Sequence, residues 1–153
     1  MKIRIEIDEH AAEEEIVLRC RELNEDVIAM QKRLVGVINE GMKLAVTKGD
    51  AEYYLNLSEI LFFETAGNAV AVHTVSQIYT TTLRLYELEE LLPAGFLRVS
   101  KSTILNAERV RSVRKNITGA SEVEFDGTGR KAFVSRSYFK LLLNKLEEKR
   151  LRK

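Results

Sequence analysis

The chain of 153 residues has one cysteine, two histidines and one proline. Nor does it hold an apolar run of the roughly 18–20 residues that a bilayer core demands. Each shortage excludes something. Cys20 alone cannot close an internal disulfide, and no Cys/His spacing matches a metal site, so no metal or other cofactor is expected. His10 and His73 stand with no serine, cysteine or carboxylate at a catalytic spacing, and no two carboxylates stand out as acid and base. An enzyme has nothing to rest on. The run MKIRIEID at the start alternates charge with isoleucine and lacks the apolar core of a signal peptide, which points to a cytoplasmic protein.

What is present is the composition of a globular protein, 45% apolar and 31% charged, long enough for one domain and a short appendage. The net charge of +1 hides a division. Residues 1–97 hold 9 Lys/Arg against 17 Asp/Glu, whereas residues 98–153 hold 15 against 6. An acidic body with a basic last third is the asymmetry expected of one polyanion-facing side.

Along the chain, Ile3, Ile5 and Ile7 alternate with charged residues, so residues 2–8 are expected to form a strand. Ile16, Cys20, Leu23, Val27, Met30 and Leu34 then follow a helical period, which predicts a helix over 12–35 with Glu13–Glu15 at its start. Gly36 and Gly41 bracket a boundary between a strand–helix extension, 1–40, and a main body, 41–153. From 42 to 82 the signals are all β. Strands are expected at 43–47, 52–57, 60–65, 70–75 and 77–82, with turns at Lys48-Gly49-Asp50 and Ala66-Gly67-Asn68. A short helix over 84–92, its stripe made of Leu85, Leu88, Leu91 and Leu92, stops before Pro93 and Gly95. Further strands are expected at 110–114, 122–125 and 131–134, the last two joined by the turn Asp126-Gly127-Thr128-Gly129. Ser135 suits the N-cap of a final helix that buries Phe139, Leu142, Leu143 and Leu146, and residues 149–153 are expected to fray. The expected fold class is mainly β (α+β), with antiparallel sheets, an N-terminal strand–helix extension and a C-terminal helix.

Several signals have plain readings. Gly127-x-Gly129 sits between strands and lacks the rest of a phosphate loop, so it reads as a hairpin turn. His73, next to Val72, reads as a strand surface residue, Cys20 as a small apolar one, and Glu87, Glu89 and Glu90 as a solvated helix face. Two stretches do not reduce so easily. Residues 96–106, FLRVSKSTILN, set Arg98, Lys101, Ser100, Ser102, Thr103 and Asn106 among apolar anchors, with the polar groups expected to point outward. Cations, hydroxyls and amides are the groups that bond phosphate oxygens and base edges. Residues 131–137, KAFVSRS, place Arg136 inside the expected N-cap, where a cation opposes the helix dipole. Lys115 and Lys140 add to the same basic third. These residues suggest a nucleic-acid-binding surface.

The run FLRVSKSTILN, followed by VRSV, resembles the central signature of LytTR-type DNA-binding domains. The VSRSY of 134–138 is similar to that family's closing block, and ILFFETAGN of 60–68 to its opening strand and first loop. The likeness covers about residues 42–150 and departs at Ser100, where the family commonly has histidine. The resemblance implies antiparallel sheets whose loops enter successive major grooves of double-stranded DNA. It implies a bacterial transcriptional regulator, response-regulator-like, that binds direct repeats in promoters as a homodimer. Asn68, Lys101, Ser102 and Arg136 would read bases or backbone. Residues 1–40 are too short for the receiver domain most relatives carry, and short relatives of this kind imply a small inhibitory membrane protein as partner. The competing expectation is a protein-interaction module that uses the acidic extension and keeps the basic face for incidental contacts.

Overall fold

Runs of β-branched and aromatic residues separated by turn residues pair with their sequence neighbours as antiparallel strands. The computed structural model describes residues 2–40 and 42–148. In the described residues, strands β1 (Lys43–Lys48), β2 (Ala51–Asn56), β3 (Phe62–Ala66), β4 (Ala69–His73), β5 (Ile78–Thr81), β6 (Phe96–Ser100) and β7 (Thr103–Asn106) form one sheet. Its order is β2-β1-β5-β4-β3-β7-β6. Strands β8 (Val110–Arg114), β9 (Ser121–Phe125) and β10 (Lys131–Val134) form a second, in the order β10-β9-β8. Every pairing is antiparallel. With helices α1 (Glu25–Glu40), α2 (Leu85–Leu91) and α3 (Phe139–Glu147), the mainly β architecture is the one expected.

The two-residue period of the strands gives the large sheet two apolar faces. On one, Val46, Leu55, Phe63, Val70, Val72 and Ile104 pack with Leu85 and Leu88 of α2. A second core joins Phe62 and Leu105 of the same sheet to Val123, Phe125 and Val134 of the small sheet and to Leu142 of α3. The Phe62 and Phe125 rings stack at 5.4 Å and bridge the two sheets. Each large side chain so buried is worth about 1.5–3 kcal/mol. The sheet is thus the middle layer, and both covers are needed.

The structure departs from expectation mostly near the chain's start. The chain divides into two units, residues 1–37 and 38–153. In the first, residues 2–8 form no strand, because a strand needs a hydrogen-bonded neighbour and no described residue supplies one. The helix begins at Glu25, not near residue 12. Asn24 Oδ1 accepts the Val27 N–H at 3.0 Å, and Glu25 and Asp26 complete a first turn that this cap fixes. Cys20 therefore lies outside the helix, exposed, and Gly36 lies inside it. Gly41 and residues 149–153, with the fraying expected there, fall outside the described residues.

Smaller corrections concern the helical stripes and one cap. Leu91 and Leu143 are exposed, whereas Leu92 packs against the first core and Leu142 lies within the second. Helix α3 starts at Phe139, so Ser135 is not its N-cap. A turn comes first, closed by the Tyr138 N–H donating to the Ser135 carbonyl at 3.0 Å. Among the described residues, no helix is long and apolar enough to cross a membrane.

Candidate nucleic-acid interface

Asn68, Lys101 and Arg136 lie far apart in sequence, on three different turns. The β3–β4 turn consists of Gly67 and Asn68 between the paired Ala66 and Ala69. Gly67 takes φ 62°, as a two-residue hairpin with glycine first requires, and Asn68 is presented to solvent. The β6–β7 turn is Lys101 and Ser102 between the paired Ser100 and Thr103. Arg136 belongs to the turn of 136–138 that leads from β10 into α3.

Two backbone hydrogen bonds draw the three together. The Thr65 N–H donates to the Ser102 carbonyl at 2.9 Å, joining the first turn's strand to the second turn. The Ser135 N–H donates to the Val99 carbonyl at 2.8 Å, fastening the third turn to β6. The three sequence blocks therefore meet on one rim of the sheets.

Within that rim the polar residues divide into two groups. Arg98 is half-buried and fully engaged: Nε donates to the Ser100 carbonyl at 2.7 Å, Nη2 to the Lys101 carbonyl, and Nη1 to Glu89 Oε1 at 2.6 Å. It shapes the turn that carries Lys101. Ser100 Oγ accepts the Ser102 N–H at 3.2 Å and lies 3.3 Å from Ser102 Oγ, so this serine pair also tightens the turn. Thr103 and Asn106 do not point outward as expected; both are buried, because β7 is an interior strand covered on both faces. Asn106 Nδ2 donates to the Ile60 carbonyl at 3.0 Å and its Oδ1 accepts the Glu108 N–H at 3.1 Å.

The second group faces water. The side chains of Asn68, Lys101, Arg136 and Lys140 are exposed and make no ion pair with any described residue. Arg136 precedes α3 by three residues, so it does not oppose the dipole from within the cap, as the sequence suggested. Lys115 holds its ammonium 5.6 Å from the Phe139 ring centroid at the start of α3, a cation–π contact that leaves its charge accessible. Other cations of the basic third serve the fold. Arg109 donates to the Ser58 carbonyl at 2.8 Å, Lys131 pairs with Glu122 at 3.2 Å, and Lys145 with Glu148 at 3.5 Å.

Sequence reading missed two neighbours. Arg84 and Tyr86, at the corner from β5 into α2, line a groove of ≈ 290 Å³ together with Asn68, Arg98 and Lys101. Both are exposed. Arg84 is the single Lys or Arg between Lys48 and Arg98, and no local pattern tied it to Lys101.

Behind the rim, His73 stacks on Phe62 at 4.1 Å, and Arg130 Nη1 lies 3.4 Å from its Nδ1. Expected on the strand surface, it is half-buried, because the small sheet covers that part of β4. Burial, and then the Arg130 charge, lower its pKa from 6.5 to about 4, so the ring is neutral at pH 7.

The geometry has counterparts among known proteins. The profile of the LytTr DNA-binding domain matches residues 50–147. An uncharacterized HTH-type transcriptional regulator of Staphylococcus aureus strain NCTC 8325 is 31% identical over 109 residues, 69% of this chain and 71% of that protein. Its counterpart in the bovine strain RF122 is 30% identical over the same shares. A solved LytTr DNA-binding domain from Bacillus cereus superposes with a TM-score of 0.60 at 24% identity. That match covers 66% of this chain and 95% of the solved domain.

Proposed function

Since the chain belongs to the LytTr DNA-binding domain family and is a DNA-binding regulator of bacterial type, we propose that it reads promoter DNA in a sequence-specific way through the three turns of the rim. In this reading residues 41–153 are the DNA-binding domain and residues 1–40 an extension that brings two copies together on direct repeats, in the cytoplasm. Arg136 and Lys101 donate to guanine O6/N7 or to phosphates, and Asn68 to a base edge or the backbone. Ser102, Lys115 and Lys140 take flanking phosphates, while Arg98 and Ser100 hold the Lys101 turn in shape.

The single observation that carries the reading is the sorting of cations. Arg98, Arg109, Lys131 and Lys145 are bound to protein oxygens, whereas Lys101 and Arg136, on turns fastened to one another, and Lys140, in α3, are left to solvent. A fold that neutralises some cations and holds others unpaired on a rigid rim is preorganised for a polyanion.

The test is an anisotropy titration of the protein against its own upstream promoter DNA and a scrambled duplex at two salt concentrations. Binding that prefers the promoter and weakens steeply with salt is expected. Arg136→Ala should cost about 1–3 kcal/mol and narrow the gap between the two duplexes. Unchanged promoter affinity in that variant would remove Arg136 from the interface. No binding of either duplex by the wild type would favour the protein-interaction reading.

A further inference from the structure

Residues 2–8, KIRIEID, carry a strand's pattern without a sheet. Arg4 and Glu6 form an ion pair within the segment, which puts both on one side of it. By the two-residue alternation of extended chain, the isoleucines occupy the other side. Ile3, Ile5 and Ile7 are 95%, 86% and 90% exposed, and no described strand pairs with them. An apolar edge with open N–H and C=O groups is a template for another strand. We propose that its partner is the same segment of a second copy, paired antiparallel about a two-fold axis at Ile5. The inference gives a form to the proposed joining of two copies through residues 1–40 and rests on that part of the reading, not on the DNA contacts of the rim.

The order of charges selects both the partner and the register. Two cations, Lys2 and Arg4, precede two anions, Glu6 and Asp8. With Ile5 opposite Ile5 in an antiparallel pair, Lys2 of each copy faces Asp8 of the other and Arg4 faces Glu6. Ile3 then faces Ile7. Every charged pair is of opposite sign. Sliding by one residue sets isoleucine against charge, and sliding by two sets Arg4 against Arg4 or Glu6 against Glu6. A parallel, in-register pair sets every charge against its like. Opposite charges across a pair stabilise and like charges destabilise, so one register of one partner is favoured.

A two-stranded ribbon is marginal by itself and needs its apolar face covered. The same unit supplies a cover: Ile16, Val17 and Leu18 are 62%, 61% and 38% exposed. Two copies bring two such runs to the six isoleucines of the ribbon. The pairing is thus an exchange of surface that each copy leaves open by itself.

Charge reversal in the full chain tests this. K2E/R4E makes the segment's charges all acidic, and E6R/D8K makes them all basic. By sedimentation velocity, the wild type should dimerise at micromolar concentration. Each variant alone should associate about tenfold or more weakly, the scale of inverting four cross-strand pairs. An equimolar mixture of the two should recover as a heterodimer. A monomeric wild type, single variants that dimerise like wild type, or a mixture that fails to associate would each overturn the proposal. Cross-linking gives an independent check in a C20S background. I5C sits on the two-fold axis and should form an intermolecular disulfide, whereas K2C should not, its counterpart lying at the far end of the ribbon. Equal yields from the two would also overturn the register. Unchanged far-UV dichroism will verify that the variants fold.

Discussion

The Ser135 N–H reaches the Val99 carbonyl at 2.8 Å, and Val99 lies where β6 slips its register against β7, between Arg98 and Ser100. The two facts belong together. An extra residue in a strand leaves a backbone group out of the ladder, and here that carbonyl is taken up by the segment carrying Arg136. The bulge thereby couples the second turn of the rim to the third.

Arg98 is expected to act on DNA through the turn it holds. Arg98→Lys keeps the charge but loses the planar fork that reaches Ser100, Lys101 and Glu89. The variant should lose about 1–2 kcal/mol of stability in urea titration, much of the Glu89 pair being screened by solvent. Promoter affinity should fall while the slope of log K against log salt stays the same, since no phosphate contact is removed. A slope reduced by one would make Arg98 a direct contact.

Arg84→Ala should behave in the opposite way. Arg84 lines the groove beside Asn68 and Lys101 without contributing to either core. Its loss should leave the melting temperature unchanged, weaken binding to promoter and scrambled duplex alike, and lower the salt slope by about one. Full retention of both affinity and slope would confine the interface to the three turns.

Asn106→Ala should destabilise the protein by about 1–3 kcal/mol in equilibrium unfolding, because the Ile60 carbonyl loses the donor that reaches it inside the fold. Its effect on DNA binding at temperatures where the variant is folded should be small. Specific loss of binding without loss of stability would assign Asn106 to the site after all.

The His73 ring sets an acid limit. Its folded pKa, about 4, lies below the unfolded value of 6.5, so between these pH values the unfolded chain binds more protons. Stability is complete above pH 6.5 and falls as pH drops toward 4. The loss amounts to about 3 kcal/mol at most. His73→Phe keeps the stacking on Phe62 and should flatten this limb relative to wild type. Parallel pH profiles for the two proteins, measured by urea midpoints, would refute the assignment.

What the sequence determined by itself is whatever depends on local pattern. Alternation and turn residues located eight of the ten strands of 43–134 to within a few residues, all but β6 and β7, and Gly67-Asn68 and Asp126-Gly127 marked hairpins, because period and φ are properties of short stretches. The blocks at 60–68, 96–106 and 134–138 were legible for the same reason. Tertiary structure decided what each polar side chain in them does. Asn106 and Arg98 look as available as Lys101 in one dimension; β7's place inside the sheet buries the first, and the carbonyls of a bulged hairpin engage the second. Arg84 joins the rim only because α2 packs against the large sheet. At the other end, Ile3, Ile5 and Ile7 spell a strand, but strand formation is a pairwise event, and no described strand pairs with residues 2–8.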